Sequence, residues 1–184
     1  VKARIPEALD AVDADNNPAA LPVADLTIAA QDSIGAPVQT TFRVFMQREN
    51  QLAITDTTLF VNDKGGKNID DKDDIEDIKP KDRLELEITA ENAYDRSTNL
   101  DMQDVAVDID CDKENNFDFD EQREEIGDIG EENEETTTFT FAVEEDAADS
   151  DTKCIVSAAG TDKNGAQHGE KLTFTLGVER ESHD

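Results

Sequence analysis

The chain contains no tryptophan, one tyrosine and two histidines, and aromatic residues fill only 5% of its 184 positions. Any core must be assembled from Val, Ile, Leu, Ala and eight Phe, so it will be thin. Basic residues are also scarce: 17 Lys and Arg stand against 46 Asp and Glu, a formal net charge of −29. Such an excess repels phosphate backbones and anionic lipid head groups, so no nucleic-acid partner is expected. No apolar run approaches the roughly 18 residues of a membrane-spanning helix. No signal peptide is visible either, and the start at Val1 rather than Met fits a mature chain whose leader was removed as well as it fits a trimmed one. The two histidines are His168, in the last turn, and His183, near the end. Neither stands beside a Ser or Cys nucleophile, and a lone loop histidine is more often solvated than catalytic, so no enzymatic activity is expected. The one glycine-rich stretch, Lys64-Gly65-Gly66-Lys67, lacks the following helix that a phosphate cradle needs and reads as a hairpin turn.

Low hydrophobicity combined with high net charge is the composition of disordered chains. Strict alternation argues against disorder here. Over 83–92, Leu84, Leu86, Ile88 and Ala90 alternate with Glu85, Glu87, Thr89 and Glu91, the pattern of a half-buried antiparallel strand. The same period places Val105, Val107, Ile109 and Cys111 on one face, then Phe139, Phe141 and Val143, then Cys154, Val156 and Ala158, then Leu172, Phe174, Leu176 and Val178. Leu52, Ile54 and the run 57–61 give an earlier strand, and Thr40 to Gln47 reads as one that is apolar on both faces. The Glu-rich run 121–135 carries Gly127 and Gly130 and makes a poor helix; it reads as a loop with a short irregular strand. Short strands punctuated by turns, with no convincing helix, predict an all-β, immunoglobulin-like antiparallel sandwich of seven to nine strands. Residues 1–36, rich in Ala, Asp and Pro, read as an extended N-terminal segment ahead of a sandwich over 37–184.

Two cysteines are present, Cys111 and Cys154. In an immunoglobulin-like order the strands that carry them are antiparallel neighbours, and alternation turns both toward the core, so a disulfide is geometrically natural and would indicate an oxidising, extracytoplasmic setting. The plainer reading is two reduced, buried small hydrophobes. The acidic stretch after Cys111 resembles a calcium loop at first sight. An EF-hand needs Gly at its sixth place and Glu at its twelfth, whereas Lys113 and Phe119 stand there. A shallower Ca²⁺ site remains open, in which Asp110 and Asp112 meet Asp118, Asp120 or Glu121 across the loop; the plain alternative is a solvated acidic face. The overall acidity suits either a saline habitat or divalent counterions.

From about Leu52 to Glu181 the order of signals resembles the immunoglobulin-like modules of archaeal surface proteins, of the CARDB and S-layer-associated type. The stretches that carry the likeness are DIKPKDRLELEITAEN, DVAVDID, IGEENEETTTFTFAV and GTDKNGAQHGEKLTFTLGVER. The resemblance implies surface exposure, tandem or polymeric arrangement and adhesive or scaffolding work, with no active site; the first 50 residues and the cysteine pair fall outside it. An extended apolar segment can add itself as a strand to a neighbouring molecule, and Leu21, Val23, Leu26 and Ile28, or else Val1 to Leu9, would be such a donor. The alternative is that the segment folds back on its own domain. The expected function is a secreted structural subunit that self-associates into a filament or surface layer. An adhesin binding a glycan or protein on another cell, and an accessory domain of a larger surface enzyme, are the rivals.

Overall fold

The computed structural model describes Pro6 and residues 8–180. Twelve strands follow in chain order: β1 (Ala20–Gln31), β2 (Pro37–Gln47), β3 (Leu52–Val61), β4 (Lys64–Asn68), β5 (Asp73–Ile78), β6 (Arg83–Asn92), β7 (Met102–Cys111), β8 (Phe117–Phe119), β9 (Arg123–Ile129), β10 (Glu134–Val143), β11 (Ser150–Asp162) and β12 (Gln167–Val178). Ten of them build two five-stranded sheets, ordered β4-β3-β6-β10-β8 and β5-β12-β11-β7-β9. The fold is an all-β sandwich whose strand order follows the immunoglobulin-like pattern.

Alternation explains the core. Leu84, Leu86, Ile88 and Ala90 are fully buried on β6 and meet Phe139 and Phe141 from β10. From the second sheet come Val105, Val107 and Ile109, Val156 and Ala158, and Phe174, Leu176 and Val178. The long strands of both sheets send one face inward and leave most of their Glu, Asp and Thr outside, which is how a chain of this charge still encloses a dry interior.

The sandwich has ten strands rather than seven to nine, because β4, β5 and β8 lie inside sequence that reads as loop or turn, while the short irregular strand expected in the Glu-rich run is β9. β5 sits in an acidic run, yet Ile75 and Ile78 are buried and the strand pairs parallel with β12 through Leu176↔Ile75 and Val178↔Ile78. β9 runs through the Glu-rich stretch and pairs with β7. KGGK is strand β4 and not a turn; the turn before it is Asn62-Asp63, both at positive φ (53° and 55°), as a two-residue hairpin connection requires. Gly66 in β4 is needed for space, since a Cβ there would collide with Thr58 and Phe60 of the neighbouring strand.

Cys111 and Cys154 face each other directly in the β7–β11 ladder and form a disulfide. Next to them the Asp112 N–H donates to the Lys153 carbonyl (2.9 Å), so the cysteines occupy a non-hydrogen-bonded pair, where opposing strands approach most closely. Both are buried.

The first 47 residues divide differently from the boundary expected at 36/37. Residues 9–19 fold back onto the body: Leu9, Ala11 and Val12 are buried, and the Ala11 N–H donates to the Gln167 carbonyl (2.8 Å). β1 and β2 then form a separate two-stranded sheet, and the expected boundary falls in the turn joining them. That turn is built by Asp32, whose carboxylate accepts from the Ile34 (3.0 Å) and Ala36 (2.8 Å) N–H groups, and by Gly35 at φ +83°. β2 therefore belongs to a hairpin arm with β1 and not to the sandwich.

Candidate functional site

The arm is amphipathic across its thickness. Residues paired across a ladder point to the same side, so the register puts Ala24 with Val44, Leu26 with Phe42, Ile28 with Thr40 and Ala30 with Val38 on one face. The opposite face carries an Asp25–Arg43 ion pair (3.0 Å) and a Thr27–Thr41 hydroxyl hydrogen bond (3.1 Å) along the outer part of the arm, with Phe45 opposite Pro22 nearer the root. A β-bulge at Val23 shifts the register, after which Leu21 and Met46 continue the apolar face toward the root. That face is bare: Leu26 and Phe42 are each 52% exposed and Ile34 at the tip is 87% exposed. All large hydrophobic side chains exposed among the described residues lie between Leu21 and Phe45.

Charge is sparse in the same stretch. Residues 20–47 hold Asp25, Asp32 and Arg43, a net charge of 1 − 2 = −1, while the whole chain carries −29. Two such proteins repel each other over most of their surfaces, and the arm is where that repulsion is smallest.

The root of the arm is held by a buried polar cluster. Arg48, directly after β2, pairs with Asp162 and donates to the Tyr94 hydroxyl (2.5 Å). The Tyr94 hydroxyl donates to Asp162 Oδ2 (3.0 Å). Asp162 Oδ1 accepts from the Asn164 (2.8 Å) and Ala166 (3.0 Å) N–H groups. His168 Nδ1 accepts from the Gln51 N–H (3.1 Å), which fixes the Nε2–H tautomer of the neutral ring and aims that hydrogen at the Tyr94 oxygen, 3.2 Å away. The Tyr94 and His168 rings meet edge-on at 5.6 Å. His168 is thus no solvated loop residue; it is fully buried near the start of β12.

Burial opposes charging of Asp162, but the Ala166 N–H, the Tyr94 hydroxyl and Arg48 together hold its carboxyl below the usual range. Burial, helped by the Asp162 carboxylate and tempered by Arg48, pushes the Tyr94 hydroxyl up to about 12. Because Tyr94 is the only tyrosine, phenolate absorbance reads it alone. Its titration is expected near 12 in the folded protein and near the ordinary ~10 in denaturant; a folded-state midpoint at 10 would contradict the cluster.

His168 is lowered below its ordinary value, first by burial and then by Arg48. The unfolded chain therefore takes up the proton first as pH falls, so the contribution of neutral His168 is fully present above about pH 6.5 and is lost below it. Protonation of the many carboxylates relaxes self-repulsion over an overlapping range, so the effect is read as a difference. Unfolding by urea at about pH 7.5 and pH 5.5 is expected to show the wild type losing more stability on acidification than His168→Asn. Equal losses would remove His168 from the account.

The residues expected to hold Ca²⁺ are not gathered. Asp110 lies on β7 in one sheet and Asp112 directly after it, whereas Asp118 lies on β8 in the other sheet. Asp112 is already engaged as acceptor of the Lys153 N–H (2.9 Å). Asp120 and Glu121 follow β8 with no metal-competent grouping around them; among the described residues no set of three or more His, Cys, Asp or Glu is placed to hold a metal ion. The donor-strand residues Leu21, Val23, Leu26 and Ile28 all lie on β1, already paired with β2. The other donor segment, Val1 to Leu9, falls mostly outside the described residues, as does His183. Among the described residues no helix is long and apolar enough to cross a membrane.

Arg48, Tyr94 and Asp162 escape a reading of the sequence, although alternation holds a signal for Tyr94 and for His168 beside it. Extending the β6 alternation from Leu84 past Ala90 reaches Asn92 and Tyr94, and running the β12 alternation back from Leu172 reaches His168. Both continuations point inward. No family model matches this chain, and no curated protein matches it.

Proposed function

We propose that this protein is a secreted structural subunit that self-associates into an extracellular filament or surface layer, of the kind the archaeal surface modules suggest, using the β1–β2 arm as its joining element. The observation that carries this reading is a two-stranded ribbon, nearly neutral in net charge, whose apolar face and both edges meet solvent. An isolated hairpin is marginal in water at best, and an apolar patch of this extent on an otherwise highly charged surface marks an interaction site. Free strand edges offer a partner the backbone pairing that strand addition uses. A second copy meets least repulsion here. The disulfide fits an oxidising compartment.

Deleting residues 20–47 and bridging 19 to 48 with a short Gly/Ser linker removes the arm and leaves both sheets intact. In high salt, which screens the −29 charge, the full chain is expected to give concentration-dependent assemblies by light scattering and negative-stain microscopy, and the deletion to give monomers. Full-length monomers that bind sugars or cells would support the adhesin reading instead.

A further inference from the structure

We propose that three copies join by closing their arms into one six-stranded intermolecular β-barrel, with apolar faces inward and the outer edge of each β1 paired to β2 of the next copy. This rests on the arm being the assembly surface and says what it meets, namely the arms of two further copies.

The arm makes two demands at once. Its edges are unpaired: the Asp32 N–H bonds to the Ala36 carbonyl (2.9 Å), and the register carries this alternation down the arm. The even-numbered pairs 30/38, 28/40, 26/42 and 24/44 therefore bond inward, while Asp25, Thr27, Ala29 and Gln31 on β1, and Gln39, Thr41 and Arg43 on β2, aim their peptide groups outward. Pro37, paired with Gln31, begins the β2 set at the tip and Pro22 stands beyond the bulge near the root; between these ends no proline interrupts either set. Its second demand is cover for the apolar face. No partner surface for that face exists on the body, since every large exposed hydrophobic among the described residues belongs to the arm itself. Within a homo-oligomer, arm must meet arm.

Two arms cannot meet both demands. Stacked face to face, ribbons of 11 residues at ~3.4 Å rise and about 10 Å width bury roughly 400 Å² each. The total of about 800 Å² falls short of the roughly 1,200–2,000 Å² of a stable interface, and all edges stay open. Paired edge to edge, two arms leave the apolar face bare. A closed ring satisfies both, because barrels abolish edges. Arms rising together around an axis bring β2 of one copy antiparallel to β1 of the next, as up-and-down closure requires. Eight strands enclose an interior just wide enough for side chains to fill. Three of the inward layers set a small residue beside a larger one, Ala24 with Val44, Ala30 with Val38 and Thr40 with Ile28, which suits the narrower lumen of six, and one layer, Leu26 with Phe42, fills it with two large side chains. The Asp25–Arg43 pair and the Thr27–Thr41 bond then lie on the wet outer wall.

The test is sedimentation equilibrium of the full chain in high salt, with thermal unfolding confirming that the sandwich stays folded in each variant. The expected species has three times the 20.2 kDa chain mass. Leu26→Asp, which places a charge in the lumen, is expected to weaken association by roughly 100-fold or more, whereas Thr27→Asp on the outer wall is expected to leave it nearly unchanged. Thr41→Pro keeps the apolar face but removes one outward N–H; it too is expected to break the trimer, which face-to-face stacking would not require. A dimer, or a trimer indifferent to Thr41→Pro, overturns the barrel while leaving the arm as the joining element. Monomers at every concentration overturn both readings, and assembly that survives deletion of the arm overturns the arm itself.

Discussion

Replacing both Cys111 and Cys154 with alanine is expected to lower the unfolding free energy by about 4 kcal/mol. The bond closes a loop with a sequence separation of 43, and the loss of chain entropy on closing a loop of that length gives this magnitude. The value is large for this protein because the alternatives are weak. Its core has few aromatic side chains, no tryptophan, and a surface that repels itself. Position reinforces the effect, since β7 and β11 are central strands of one sheet and the cysteines lie opposite each other at the end of their ladder. Urea unfolding of the double variant checks it, with reduction of the wild type as control. A change below about 1 kcal/mol would mean that the cross-link adds little to what the ladder already fixes.

Arg48→Ala is expected to cost about 3 kcal/mol at neutral pH, because it leaves the fully buried Asp162 carboxylate without its cationic partner. The cost has a distinctive pH dependence. Arg48 is one of the groups holding down the His168 pKa, and His168 Nε2 lies 3.6 Å from Asp162 Oδ2. With Arg48 gone, the histidine can take up a proton on Nδ1, giving up the bond from the Gln51 N–H, and replace the missing cation. The loss is therefore expected to shrink as pH falls from about 7.5 to 5.5, opposite in direction to the behaviour of the wild-type histidine. A simple loss of packing would be independent of pH. Equilibrium unfolding at both values separates the two, and His168→Asn placed on the Arg48→Ala background should abolish the recovery.

Much of the sandwich can be read from its sequence, because period-2 alternation is a direct image of burial in a two-layer fold. Leu84 to Ala90, Val105 to Cys111 and Phe174 to Val178 lie on the faces that their spacing implies. β5 hides, and β9 shows only as a short irregular strand, because they are edge strands: each needs only Ile75 and Ile78, or Ile129, to anchor it, so neither yields a long alternating run. The polar cluster hides for a different reason. Arg48, Tyr94 and the Asp162–His168 hairpin come from three separated places in the chain, and only the packing of both sheets against the arm root brings them together. The arm is intermediate. Its apolar character is evident in Leu21 to Ile28 and in Phe42 to Met46, but pairing the two runs depends on reading Asp32-Ser33-Ile34-Gly35 as a turn. Missing that turn moves the boundary to Pro37 and turns one hairpin into an extension and a strand.

Hydrogen exchange along the arm, followed as protein concentration rises in high salt, bears most directly on its role as the joining element. The outward-facing amides of Thr27, Ala29, Gln31, Gln39 and Thr41 are expected to exchange quickly in dilute solution and to become protected as assemblies form, with the β6 and β11 amides unchanged throughout. Arm amides that stay equally open at every concentration, while the particles grow, would show that the copies meet somewhere else.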